Sequence, residues 1–255
     1  MEKSLCEFLD IKKNDFNHLY NDIYNSPDKE PWQFISDYIN DRWNKKNFDK
    51  VQFYHLTRRL NGSDLKECTN LKDLLTTENV FSSFLRNNNI CFKLTEEGTI
   101  DLYFRDKKIP LSYSGENPMP NLASRLQKDF CVNGFAIRDS LEKEENGYYQ
   151  SLTGCPEFIS VLDEVLHLSN RLCYSYLEVS KSYCIEYVVP IREVIIDGGG
   201  QQDTQQAKTI DLLNSFVNHL YDQWVCSLGN ADCVVLRLQD NVEMNSEYFV
   251  RAEEL

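Results

Sequence analysis

Two amphipathic helical patterns fill the first fifty residues, and they constrain the fold more than any other part of the sequence. In the segment 31–46, a proline at the favoured first helical position is followed by apolar residues at spacings of three and four, namely Trp32, Ile35, Ile39 and Trp43. The segment 15–24 places Phe16, Leu19, Tyr20 and Ile23 on one face in the same way. We therefore expect a helical N-terminal lead-in that packs onto the rest of the chain.

The pattern becomes β-prone after this lead-in and then alternates with helical segments. Strands are predicted over residues 51–57 and 182–197, and a hairpin over 90–104. Residues 69–89 are predicted to form one helix or two short helices. Further helices are predicted over residues 155–181, as one long helix, and over 209–229. Helices first and a mixture of strands and helices afterwards indicate the α+β class, with a small mixed or antiparallel sheet clasped by helices. We expect residues 1–50 to form an extension and residues 51–255 a single α+β domain.

Charge and cysteine content narrow the partners and the compartment. The net charge of −13 repels phosphate backbones and anionic lipid surfaces, which disfavours general coating of nucleic acid. No apolar run reaches the ~18–20 residues that span a bilayer, and charges interrupt the N-terminus where a signal peptide would be apolar. We expect a cytoplasmic protein without a membrane partner.

The nine scattered cysteines contain no CxxC pair, which predicts reduced, mostly buried thiols and no zinc site.

Common catalytic signatures are absent from the sequence. It has no Walker A loop, no GxGxxG, no GxSxG, no HExxH and no kinase motif, which removes most nucleotide-binding and hydrolase classes with a short signature. His18, His167 and His219 lie on predicted helices without metal-ligand spacing, so we expect no metal site.

The segment 51–61, VQFYHLTRRLN, carries the most suggestive chemistry. An apolar run leads directly into His55, Thr57, Arg58 and Arg59, at the predicted exit of a buried strand. An imidazole exchanges hydrogen bonds with ribose hydroxyls, and guanidinium groups grip a pyrophosphate through two N–H donors. The competing interpretation is a strand-end histidine followed by ordinary surface arginines.

The stretch FYHLTRRL, followed by the helical NLKDLL, resembles the opening of the DarT-type and wider PARP-like ADP-ribosyltransferases. Those enzymes carry His-x-Thr on a strand before a short helix, and the resemblance runs in recognisable order from about Gln52 to Leu111. It implies NAD as substrate, with His55 and Thr57 holding its ribose and Arg58 near the pyrophosphate or acceptor. The segment DLYFRDKKIPLSY is similar to a part of the family that holds a functional arginine. This sequence offers Lys107 there, with Arg105 as the alternative.

The resemblance also implies a carboxylate on a late strand and an aromatic ring for nicotinamide. Glu253, in the C-terminal EYFVRAEEL, lies in the right order along the chain, and its neighbour Glu254 would face the other way. Glu186, inside an apolar strand, is the rival, whereas Glu157 fits the first turn of a helix. Tyr149 is the candidate ring.

The resemblance implies an NAD-dependent ADP-ribosyltransferase-like protein of the bacterial toxin or defence type, acting on an unknown protein or nucleic acid acceptor. The alternative is a non-catalytic acidic interaction protein, or a degenerate transferase fold, that binds a protein partner. The acidic charge and the helical N-terminus support the alternative.

Overall fold

The computed structural model describes residues 1–26, 28–114, 118–128, 130–138, 154–199, 202–225 and 234–255. The helices in these ranges are α1 (Glu2–Leu9), α2 (Lys13–Tyr24), α3 (Pro31–Arg42), α4 (Leu71–Thr76), α5 (Val80–Asn87), α6 (Met119–Lys128), α7 (Glu157–Val165), α8 (Arg171–Glu178) and α9 (Gln205–Val225). The strands are β1 (Lys50–Leu60), β2 (Ile90–Leu94), β3 (Ile100–Phe104), β4 (Lys107–Ile109), β5 (Asn133–Phe135), β6 (Ser180–Pro190), β7 (Ile195–Ile196), β8 (Val235–Arg237) and β9 (Phe249–Glu254).

The strands form two sheets. A six-stranded antiparallel sheet has the order β7-β8-β5-β1-β6-β9, and the β2–β3 hairpin continues into β4 as a three-stranded antiparallel sheet. Helices flank the sheets, which confirms the predicted α+β class and its helical N-terminal lead-in. In the β6–β9 pair, Cys184 stands opposite Glu253 and Glu186 opposite Arg251.

Contacts divide the chain into two compact units. The first unit takes its described residues from 1–53, 135–141 and 189–236, and the second from 54–134, 142–188 and 237–255. The N-terminal helices thus share a unit with the later segment that contains α9. The predicted boundary at residue 50 lies close to the first division, but the chain passes between the two units at four further points.

The core of the first unit is made by the faces that the helical spacing predicted. Phe16, Leu19, Tyr20 and Ile23 of α2 are buried together with Ile35 and Ile39 of α3 and with Leu213 and Val217 of α9. The tryptophans of the predicted α3 face behave differently. Trp32 is 58% exposed at the first turn, and Trp43 follows the helix, where its indole Nε1 donates to the Lys46 carbonyl.

The core of the second unit lies among α4–α8 and the hairpin, with Leu85, Ile90, Leu102, Leu122 and Leu162 almost fully buried.

The prediction of a single long helix over 155–181 is wrong, because the helix is interrupted between α7 and α8. His167, Ser169 and Asn170 adopt positive φ there. The buried Asp163 carboxylate accepts from the backbone N–H groups of Asn170, Leu172 and Cys173, at 2.7, 2.7 and 3.2 Å, and so fixes the start of α8.

Candidate functional site

Strand β1 runs on through the polar residues that were predicted to lie at its exit. It ends at Leu60 rather than at residue 57, so His55, Thr57 and both arginines are strand residues. Successive side chains of a strand point to opposite faces. Thr57 and Arg59 therefore share the face of His55, and Arg58 lies on the other face.

Arg58 is held by the strand and helix beside it. Its Nε donates to Ser180 Oγ at 2.8 Å, and its Nη1 donates to Ser182 Oγ at 3.0 Å. Its Nη2 donates to the carbonyls of Leu177 and Ser180. The Tyr176 hydroxyl in turn donates to the Arg58 carbonyl at 2.7 Å, and burial raises the pKa of Tyr176 to about 12. Because the Arg58 guanidinium already bonds several protein groups, its main role is structural.

His55 is oriented by a backbone carbonyl. Its Nδ1 lies 2.7 Å from the carbonyl oxygen of Asn133 in β5. Because a carbonyl oxygen only accepts, Nδ1 carries the proton and donates it. In the neutral ring the other nitrogen, Nε2, is then the hydrogen-bond acceptor.

Cys68 lies in the loop after β1 and is only 3% exposed. Its carbonyl accepts from the backbone N–H of Met244 at 3.0 Å, which fixes the loop. Burial pushes the pKa of the Cys68 thiol up, but the charges and hydrogen bonds of His55 and Arg59 outweigh burial, and the net shift of the pKa is downward. Burial raises the pKa of the adjoining Tyr187, which stays a neutral phenol.

Arg59 completes this cluster of three side chains, which we call the thiol cluster (His55, Arg59 and Cys68). Its Nη2 donates to the Glu67 carbonyl at 3.1 Å. Its Nε is buried and finds no hydrogen-bond partner within the described part of the chain. A buried N–H without a partner is uncommon and marks a donor that a ligand oxygen could take.

A cavity of about 660 Å³ opens beside this cluster, entirely within the second unit. Thr57, Arg58, Arg59 and Cys68 are in its wall, together with the apolar groups Val80, Phe81, Tyr176 and Met244. His55 is not among the lining residues. The volume lies within the range of small-molecule sites.

Five carboxylates also line the cavity: Asp64, Glu67, Asp73, Glu78 and Glu243. Glu78 forms an ion pair with Arg86, and Asp73 accepts from the Asn70 amide at 2.6 Å. Within the described ranges, no cationic side chain pairs with Glu67 or Glu243. The cavity therefore combines one open guanidinium N–H with an excess of negative charge.

The structure does not bring Glu253 to His55. Glu253 is exposed on the edge strand β9, where it stands opposite Cys184 and so shares a face with it. Cys184 is two residues from Ser182, which bonds Arg58, and His55 is on the opposite face of β1 from Arg58. Glu186, the rival, is buried, and its Oε2 accepts from Arg251 Nε at 2.8 Å.

The remaining predicted residues lie elsewhere. Lys107 is exposed at the start of β4, and Arg105 is exposed in the turn before it. Neither lines the cavity. Glu157 begins α7 and pairs with Arg125 at 2.5 Å. Tyr149 lies outside the described residues.

Sequence reasoning missed Cys68 and the carboxylates of the cavity. One signal was available, because Cys68 is flanked by the polar residues Glu67 and Thr69, whereas Cys184 lies in an apolar run. A cysteine in a polar loop is a weaker candidate for simple core packing.

The described helices include none that is both long and apolar enough to cross a bilayer. Among the described residues, no group of three or more His, Cys, Asp and Glu side chains could hold a metal ion. The chain matches no protein-family model, no curated protein and no solved structure, so the site has to be interpreted from its own geometry.

Proposed function

We propose that the second unit is an NAD-dependent ADP-ribosyltransferase-like enzyme, of the toxin or defence type, that holds NAD in the cavity beside β1. The observation that supports it best is the position of Thr57 and Arg59 on one face of β1, both in the cavity wall. The Thr57 hydroxyl exchanges hydrogen bonds with a ribose hydroxyl. The buried Arg59 Nε offers its unfilled N–H to a pyrophosphate oxygen.

The apolar part of the wall suits the flat rings of NAD. Phe81 and Tyr176 pack edge to face with their ring centroids 6.0 Å apart, and both line the cavity. Aromatic side chains bury flat rings well and favour offset or edge-on contacts. The nicotinamide or the adenine is therefore placed against this pair.

The carboxylate that assists departure of nicotinamide is assigned to Glu67 or Glu243 in place of Glu253. Cleavage of the glycosidic bond builds positive charge at the ribose carbon, and a nearby carboxylate stabilises that charge. Both glutamates line the cavity, whereas Glu253 is exposed on β9. The ribose contact is assigned to Thr57, because Thr57 lines the cavity, whereas His55 does not and its Nδ1 is bonded to the Asn133 carbonyl.

The acceptor of ADP-ribose is a macromolecule, and the net charge of −13 favours a protein over a nucleic acid. We place the enzyme in the cytoplasm, where the reducing poise keeps thiols reduced, and the seven described cysteines form no disulfide.

Calorimetric titration with NAD, together with chromatographic measurement of nicotinamide release, tests this proposal. We expect Thr57→Val and Arg59→Lys each to weaken NAD binding by about tenfold, since each removes one hydrogen bond to a polar or charged group. Glu67→Gln or Glu243→Gln should reduce nicotinamide release more than binding. Lys107→Ala, outside the cavity, is the matched control and should change neither. Absence of NAD binding by the unaltered chain would overturn the proposal.

A second function, binding of a basic protein partner, is favoured by the charge of the same cavity. Five carboxylates face two arginines, and Arg58 is already occupied by protein groups. If the chain ignores NAD but binds an oligolysine peptide in low salt, and Glu67→Gln with Glu243→Gln weakens that binding, the acidic interaction protein is the better description.

A further inference from the structure

We propose that Cys68, His55 and Arg59 form a nucleophilic thiol site that takes an acyl group from a small ester, thioester or amide in the cavity. This activity is separate from NAD chemistry and does not depend on it. The proposal begins from the arrangement of the three side chains.

The first step is the order of contacts through the imidazole. The Asn133 carbonyl accepts from His55 Nδ1 at 2.7 Å, which fixes both the ring orientation and the tautomer. The remaining nitrogen, Nε2, is then the acceptor of the neutral ring, and His55 lowers the pKa of the Cys68 thiol by charge and hydrogen bonding. A nucleophile, a base and a third group that orients the base are the three parts of an activated nucleophile. In this chain the third part is a main-chain atom.

The second step is the charge around the sulfur. Arg59 on β1 stabilises a thiolate by charge and hydrogen bonding, and His55 does the same when protonated. From the other elements, Tyr187 of β6 approaches as a neutral phenol, and Asp64 lies in the same loop as Cys68. Glu67, the preceding residue, adds a negative charge at the cavity wall. His55 and Arg59 are the two groups that lower the pKa of the thiol by charge and hydrogen bonding, and the net shift of that pKa is downward.

The third step is room for a substrate and a donor for its oxygen. Cys68 and Arg59 both belong to the wall of the 660 Å³ cavity. The Arg59 Nε has an N–H that no described group accepts. A donor beside the nucleophile stabilises the oxyanion that forms when a carbonyl is attacked.

The reaction follows from these parts. The thiol proton passes to His55 Nε2, and the thiolate attacks the acyl carbon, forming an S–C bond while the carbonyl electron pair moves onto oxygen beside Arg59. Collapse of this intermediate breaks the bond from carbon to the leaving oxygen, sulfur or nitrogen, and the imidazolium gives its proton to that leaving atom. Water then cleaves the thioester, releases the carboxylic acid and restores the thiol.

Two reagents test the site in the full chain without NAD. Iodoacetamide measures the reactivity of the thiol, and p-nitrophenyl acetate measures acyl transfer through a burst of p-nitrophenolate. Peptide mass spectrometry shows which cysteine carries the label. Cys91, which is more exposed and donates to the Phe92 carbonyl, is the internal comparison in the same sample.

We expect Cys68 to react with iodoacetamide at least about tenfold faster than Cys91 at pH 7, because the thiolate is the reactive form. Its rate should hold at pH values where free cysteine, with a pKa near ~8.5, has lost its thiolate. Acetate should appear on Cys68, and Cys68→Ser should abolish the burst while Cys91→Ser leaves it intact. His55→Gln should move the pH profile of alkylation upward, a change that a purely structural histidine would not produce.

Two outcomes would overturn the proposal. One is a Cys68 that stays unlabelled while Cys91 reacts in the native chain, a comparison that requires no variant to fold. The other is a labelled Cys68 that carries no acetate. Neither reagent resembles NAD, so the two proposals are tested independently. A negative result with these reagents does not bear on NAD binding, and a negative titration with NAD does not bear on the thiol site.

Discussion

Arg251 Nε donates to Glu186 Oε2 at 2.8 Å across a directly paired position of β9 and β6. The glutamate side chain is 10% exposed and the arginine side chain 58% exposed, so the pair sits at the boundary between the sheet and solvent. The acid that looked like a catalytic candidate inside an apolar strand is therefore paired.

Replacing Arg251 should destabilise the protein through this glutamate. We expect Arg251→Ala to lower the free energy of unfolding by about 1–3 kcal/mol, because it removes a charged hydrogen bond from a largely buried carboxylate. Urea unfolding measures the change. Lys181→Ala, which removes the exposed Lys181–Glu254 pair of the same two strands, is the control and should have little effect. Equal losses in the two variants would contradict this account.

The Asp163 carboxylate should be among the most sensitive positions of the second unit. It is 3% exposed and receives three backbone N–H groups at the start of α8. We expect Asp163→Ala to lower the free energy of unfolding by about 2–4 kcal/mol, since buried donors lose a charged acceptor. Asp163→Asn should recover part of the loss. Glu164→Ala, exposed one residue later, should change stability little in the same denaturation experiment.

The two arginines of β1 should separate stability from ligand binding. Arg58→Lys should lower the free energy of unfolding by about 2–3 kcal/mol, because a lysine cannot reproduce the guanidinium fork that meets Ser180 and Ser182. Arg59→Lys should lower the free energy of unfolding less than Arg58→Lys does, and it should weaken ligand binding in the cavity more. Thermal unfolding and ligand titration on both variants make the comparison. If Arg58→Lys lowers ligand affinity without loss of stability, Arg58 is the ligand contact that the sequence suggested.

Because of Lys208, the free energy of unfolding should rise as the pH is raised into the alkaline range. Its Nζ donates to the carbonyls of Ile191, Arg192 and Val194, at 3.3, 2.9 and 2.6 Å, and burial lowers its pKa. The unfolded chain then binds more protons than the folded chain in the window between the two pKa values. This contribution to stability is therefore complete above the unfolded pKa and lost as the pH falls through the folded one.

Urea unfolding between pH 8 and about 10.5, the ordinary range of lysine titration, measures this rise. Lys208→Met should remove it and should also destabilise the protein by about 1–3 kcal/mol, because three buried carbonyls lose their donor. A variant that keeps the alkaline rise would assign it to another group. Lys45→Met, at an exposed position of the same unit, is the control.

Periodicity predicted the helices of the first unit well, because each of them buries one stripe of apolar residues. The break between α7 and α8 was invisible to the same reasoning. Leu166 and Leu168 continue the apolar spacing, and the cause of the break is a carboxylate that reaches forward from Asp163 to the next helix. Such a cap is a tertiary contact, and the local pattern does not contain it.

The candidate site was predicted only in part for a similar reason. His55, Thr57 and the arginines were recognised from their types and their order on one strand. The role of Arg58 depends on Ser180 and Ser182, and Ser180 lies 122 positions further along the chain. The pKa of Cys68 is lowered by His55 and Arg59, which are distant from it in the local sequence pattern. One sequence shows the residue types. The contacts that determine their hydrogen bonds and pKa values depend on how the strands pair, which the sequence alone does not show.

The acceptor that orients His55 is a main-chain oxygen, and this has a consequence for genetics. Every amino acid supplies the same carbonyl, so no side-chain substitution at position 133 deletes it. A saturation mutational scan would therefore score position 133 as permissive even though the histidine depends on it. The contact is instead vulnerable to insertions, deletions or prolines that shift the short strand β5 against β1.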